Sequence, residues 1–126
     1  MATLIVNAVS AESAGANTAG EVQLYVSVSR ADDGKPVTGL TKDNFRLASS
    51  VGLAIDTTIA SCHESNWEPA DNEPSGCYQL GIKRSDTQKW GQGLTYQFGV
   101  QARILKAKVV VDCGQTVVNL KVLFEP

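Results

Sequence analysis

Val22, Leu24, Val26 and Val28 alternate with Gln23, Tyr25, Ser27 and Ser29 between Glu21 and Arg30. Period two over eight residues marks a half-buried strand, because successive side chains point to opposite faces of a sheet. On a helix the same residues would be spread around the axis and bury no common face. The stretch that follows, Asp32 to Leu47 (DDGKPVTGLTKDNFRL), carries specific turn chemistry. Asp33-Gly34 supplies a position tolerant of positive φ, Pro36 fixes its own φ and removes a donor, and Gly39 marks a second reversal. Thr41 is placed to cap one helical turn through its hydroxyl. Phe45 and Leu47 then share one side of a short strand from Asn44 to Ala48. This reads as a surface connection between two strands. The competing reading, a cation site from Asp32, Asp33 and Asp43, lacks the dense, regularly spaced oxygen ligands of an EF-hand loop.

The same alternation recurs along the chain. Leu4, Val6 and Ala8 alternate with Ile5 and Asn7 in a first strand suited to a sheet edge. Ser10 to Gly20 is small, polar and without period, and reads as a connection. Leu53, Ile55, Thr57 and Ile59 lead a strand that ends near Cys62, and His63 to Gly76 reads as an acidic, proline-bearing loop. Tyr78, Leu80 and Ile82 alternate in the next strand, and a second loop, Ser85 to Gly93, centres on Trp90. Tyr96, Phe98, Val100, Ala102 and Ile104 define a long central strand. In the last section Cys113-Gly114 reads as a break between Val109–Val111 and the alternation of Val118, Leu120, Val122 and Phe124. About seven short strands with turn signals between them predict an all-β antiparallel sandwich, and the long connections call for Greek-key crossings.

At 126 residues the chain reads as one domain, 1–126, with one core. A formal net charge of −2 and no Lys/Arg cluster argue against a nucleic-acid partner. No apolar run approaches the roughly 18 residues that span a bilayer, so no membrane insertion is expected. The amino terminus has no basic region before its brief apolar run and reads as a strand, with no signal peptide.

The strand ending in DDGKPVTGL, then DNFRL, and later GLTYQFGVQA followed by GQTVVNLKV, together resemble bacterial immunoglobulin-like domains. These include the modules of surface adhesins and carboxypeptidase-regulatory-like sandwiches. The resemblance spans most of the chain and implies an immunoglobulin-like fold, with structural or adhesion roles, more than any one function. It departs from the antibody pattern: neither Trp67 nor Trp90 sits in a strand between suitably spaced cysteines. Tyr96 follows Gly93 by three positions, a spacing compatible with a tyrosine corner. The segment from Cys62 to Cys77 has no counterpart in the family pattern.

Cys62 and Cys77 flank that segment, at the end of one expected strand and the start of the next, within reach of a disulfide if those strands are neighbours. Closing the loop would stabilise by about 3 kcal/mol and would imply an oxidising, exported or cell-surface destination. Free buried thiols are the alternative, and Cys113 is left single, expected in the core beside Val111. Between the two cysteines, Trp67 is surrounded by Glu64, Glu68, Asp71 and Glu73. An exposed tryptophan on an acidic loop suits a protein partner, since aromatics dominate binding hot spots. The bland alternative folds Trp67 onto the sandwich and leaves the carboxylates solvated.

A zinc site from Cys62, His63 and Cys77 would have adjacent ligands and no fourth partner. A Cys62–His63 nucleophile pair would point to opposite strand faces. The sequence has no Gly-x-Ser-x-Gly elbow, phosphate-binding glycine loop or His-Glu-x-x-His motif. The expectation is a binding or structural module with no catalytic residues, cofactor or metal, whose partner surface is the 63–76 loop. The alternative is a module for a small ligand, carbohydrate or Ca²⁺, held at the loop ends, where Trp90 would stack on a sugar.

Overall fold

Alternation of apolar and polar side chains builds the inner faces of two antiparallel sheets in the computed structural model, which describes residues 3–10, 22–49, 57–66, 74–84 and 95–121. The strands are β1 (Leu4–Ser10), β2 (Val22–Arg30), β3 (Phe45–Ser49), β4 (Thr57–Asn66), β5 (Pro74–Arg84), β6 (Thr95–Lys106) and β7 (Val109–Lys121). One sheet has the order β1-β2-β5-β4 and the other β3-β6-β7. Leu4, Val6, Val22, Leu24, Val26, Val28, Tyr78, Leu80 and Ile82 of the first sheet are buried, as are Phe45, Phe98, Val100, Ala102, Val118 and Leu120 of the second. Each large side chain removed from water in this way contributes about 1.5–3 kcal/mol, and together they form one core.

β1 and β7 close one side of the sandwich. The Thr3 amide donates to the Cys113 carbonyl at 3.0 Å, and the Ser10 hydroxyl donates to the Asn119 carbonyl at 2.6 Å. β7 runs without interruption through Cys113-Gly114, contrary to the break expected there. Gly114 serves a different need. A Cβ at that position would lie 2.3 Å from the Leu4 carbonyl oxygen, so only glycine lets β1 come this close. Cys113 is half-buried and Val111 exposed, so neither belongs to the core as expected.

The connection from β2 to β3 follows its turn chemistry. Gly34 and Gly39 have φ of 72° and 79°, the left-handed region that glycine enters at no steric cost. The Gly34 amide donates to the Arg30 carbonyl, and the Asp33 carboxylate accepts from the Lys35 amide. Pro36 then bridges to Ser29, and the Val37 amide donates to the Val28 carbonyl. β5 pairs with β2 only from Val22 to Ser27, so this returning segment covers the β2 edge that β5 leaves open. A single 3-10 turn, Lys42–Asn44, precedes β3. Its entry is held by the Asn44 side chain, which accepts from the Thr41 amide at 2.9 Å, in place of a cap through the Thr41 hydroxyl alone.

Two expected loop boundaries move. His63–Asn66 belongs to β4 and Pro74–Gly76 to β5, so strand pairing covers both ends of the stretch read as loop. β4 lies at a sheet edge and has register shifts between Ile59 and Ser61 and between Glu64 and Asn66. Such irregularities break the period-two signal and shield an edge from unwanted pairing. Of the connection expected at Ser10 to Gly20, Ser10 belongs to β1, and the rest of it, like the second loop with Trp90, lies outside the described residues.

Candidate functional site

The end of the sandwich where β4 stops and β5 starts holds Glu64, one of the carboxylates singled out in the sequence. Glu64 and Tyr78 are directly paired across these two strands. One Glu64 oxygen, Oε1, accepts from the Gly39 amide at 2.8 Å, and the other, Oε2, accepts from the Gly76 amide at 3.0 Å. The carboxylate therefore ties the β2–β3 connection to the start of β5. Tyr78 is 1% exposed. Its hydroxyl donates to the Val37 carbonyl at 2.6 Å and accepts from the Leu40 amide at 3.2 Å. Its ring meets Phe45 edge-on, with centroids 5.3 Å apart. A buried phenol needs a partner, and this one finds both in the same connection.

These contacts set the electrostatics. Burial pushes the Tyr78 phenol up to about 12, with the Glu64 and Cys62 charges adding to it and the Leu40 amide opposing. Burial, and then the Glu64 charge, also raise the Cys62 thiol, which makes it a poor thiolate and a poor nucleophile near neutral pH. Gly76 sits at φ 74°, and a Cβ there would lie 2.7 Å from the Pro36 Cβ. Glu64, Tyr78, Gly76 and Pro36 thus form one latch.

The cysteines are not joined. None of Cys62, Cys77 and Cys113 forms a disulfide. Cys62 stands opposite Leu80 and packs against the core, whereas Cys77 is exposed on the outer face in the row of Ser27. They sit on opposite faces of the sheet, and a disulfide requires Cβ atoms within about 4.5 Å. The expected Cys62–Cys77 bridge is therefore corrected. His63 is exposed while Cys62 turns inward, so the two diverge as the strand geometry requires. Among the described residues no group of three His, Cys, Asp or Glu side chains is arranged to hold a metal. Asp32, Asp33 and Asp43 form no such group, and neither do Cys62, His63 and Cys77. Trp67, Glu68, Asp71, Glu73 and Trp90 lie outside the described residues, and the Tyr96 side chain is likewise not described. Of the expected partner surface, Glu64 alone is placed, and it is engaged by the fold.

Sequence reasoning missed the surface beside this latch. On the outer face of the first sheet Val9 pairs with Tyr25, and Asn7 with Ser27, which in turn stands beside Cys77. Ile5, Val9 and Tyr25 are 46%, 63% and 44% exposed. A shallow groove of about 190 Å³ runs among Asn7, Val9, Tyr25, Ser27, Ser65 and Cys77. Ser65 and Cys77 are close to the strand ends from which segment 67–73 departs. The signal was present in the sequence: Ile5, Val9 and Tyr25 occupy outward positions in strands whose inner positions were already apolar.

No family model matches the chain, and no curated protein or solved structure matches it either.

Proposed function

We propose that this chain is a non-catalytic interaction module on an immunoglobulin-like Greek-key sandwich, and that it binds a protein partner. The strand order supports the first part. β1-β2-β5-β4 against β3-β6-β7 is the arrangement of a constant-type immunoglobulin domain, ABED against CFG. The second part rests on one observation, the apolar groove lined by Val9, Tyr25, Ser65 and Cys77, together with the exposed Ile5 on the same outer face. Aromatic and aliphatic anchors flanked by polar residues are how interfaces concentrate their energy. The segment that joins β4 to β5 carries Glu68, Asp71 and Glu73 in its sequence, a charge that suits a partner with a basic rim.

The test is affinity for a purified partner, measured for the wild-type chain and for Tyr25→Ser, Val9→Ser and Trp67→Ala. A loss of at least about 1 kcal/mol in each supports the reading. Unchanged affinity in all three removes both the groove and the loop from it. An adhesion role at a cell surface follows from the resemblance and would need the chain to be found there by surface labelling.

A further inference from the structure

The outer face of the second sheet is a different surface. Arg46, Gln101 and Gln115 stand directly opposite one another across β3, β6 and β7, forming one transverse row. With strands about 4.8 Å apart, the row spans roughly 10 Å. In the adjacent row Gly99 pairs with Val117. Because Gly99 has no side chain, a depression of about 490 Å³ opens between the row and Val117, with Thr116 in its wall.

The polar groups of this row have no partner among the described residues. On the first sheet Gln79 donates to Gln23 at 3.1 Å, so a cross-strand glutamine pair can satisfy itself. Gln101 and Gln115 form no such bond. No hydrogen bond or ion pair with a described residue engages the side chains of Arg46, Gln101 or Gln115. Arg46 and Gln115 are exposed and Gln101 half-buried.

We propose that this depression is a saccharide site, taking a sugar that carries a carboxylate. Each primary amide offers two donors and an acceptor, which is what vicinal hydroxyls require. Arg46 supplies a planar guanidinium fork that pairs with a carboxylate through two parallel bonds. Val117, 56% exposed, gives a flat aliphatic contact for the apolar face of a pyranose ring. An extended peptide is a poorer match: the donors are side chains lying across the strands, and the depression has no aromatic anchor among its described lining residues. The site lies on the opposite sheet from the Tyr25 groove, so it stands or falls separately from that reading.

The experiment is ¹⁵N-¹H correlation spectroscopy of the full chain, titrated with 3′-sialyllactose and digalacturonic acid. Lactose serves as the neutral control and a capped acidic tripeptide as the competing class. The expected result is saturable shifts of the Gly99, Gln101 and Val117 amides with an acidic sugar, at least tenfold weaker binding of lactose, and no shifts at Val9 or Tyr25. Arg46→Ala should weaken the acidic sugar at least tenfold, and Gln101→Ala severalfold, with unfolding midpoints near wild type. Shifts absent at millimolar sugar, shifts confined to other residues, or equal binding by Arg46→Ala would each overturn the proposal. So would tighter binding of the peptide at the same amides.

Discussion

The β2–β3 connection and the outer sheet faces make opposite use of their side chains. Around the connection, Glu64 of β4, Tyr78 of β5 and Asp33 of the connection itself all take up backbone amides or carbonyls of the chain, and Gly76 of β5 leaves room for Pro36. On the faces, Ile5, Val9 and Tyr25 stay in water, and Arg46, Gln101 and Gln115 have no partner among the described residues. The contrast separates two jobs that sequence reasoning assigned to one place. An acidic residue in an acidic stretch looked like part of a binding surface, yet Glu64 holds the fold together. The proposed binding surfaces lie where groups have no partner among the described residues.

Substitutions test that contrast, beginning with the connection. Gly76→Ala should cost about 3 kcal/mol, combining a left-handed backbone with a Cβ placed 2.7 Å from Pro36. Urea unfolding would show this as a lower midpoint at constant slope. Tyr78→Phe removes the hydroxyl and strands the Val37 carbonyl and the Leu40 amide, for a loss of about 1–3 kcal/mol.

The same tyrosine gives a pH signature. Its acid form is favoured in the folded state, with the phenol raised to about 12 from its ordinary value of 10.0. The associated stability is present below pH 10 and is lost as pH rises toward 12. Tyr78→Phe should flatten that part of the alkaline limb of a stability profile. An unchanged limb would detach Tyr78 from it.

Smaller effects sharpen the picture. The β6–β7 turn places Ala107 and Lys108 at φ 51° and 65°, a two-residue turn of the kind that favours Asn-Gly. Lys108→Gly should stabilise by about 0.5–1 kcal/mol in the same unfolding assay. Alkylation of the denatured chain without reduction should modify all three cysteines, and under native conditions Cys77 should react well before Cys62.

What was legible in the sequence was local. The alternation of β2 and β6, the positive φ at Gly34 and Gly39, and the shared side of Phe45 and Leu47 follow from residue types and spacing alone. What was hidden depended on neighbours distant in the chain. Gly114 looked like a break because nothing nearby announces that Leu4 approaches it, 110 residues earlier. β4 outlasted its expected end because its last residues alternate polar with polar, and its bulges shift the phase. The Cys62–Cys77 bridge was inferred from neighbouring strands without their register, and register is what puts the two thiols on opposite faces. The Tyr78 hydroxyl reaches Val37 across 41 positions, a contact no period contains.

The most direct measurement sets Glu64→Gln beside Tyr25→Ser, with urea unfolding and partner affinity determined for both. A crossed result is expected. Glu64→Gln should lose about 1–2 kcal/mol of stability, because a neutral amide cannot accept from both backbone donors, and keep its affinity. Tyr25→Ser should unfold within about 0.5 kcal/mol of wild type and bind at least about 1 kcal/mol more weakly. If instead Glu64→Gln keeps its stability and loses affinity, the carboxylate belongs to the binding surface and the division between the latch and the outer faces is wrong.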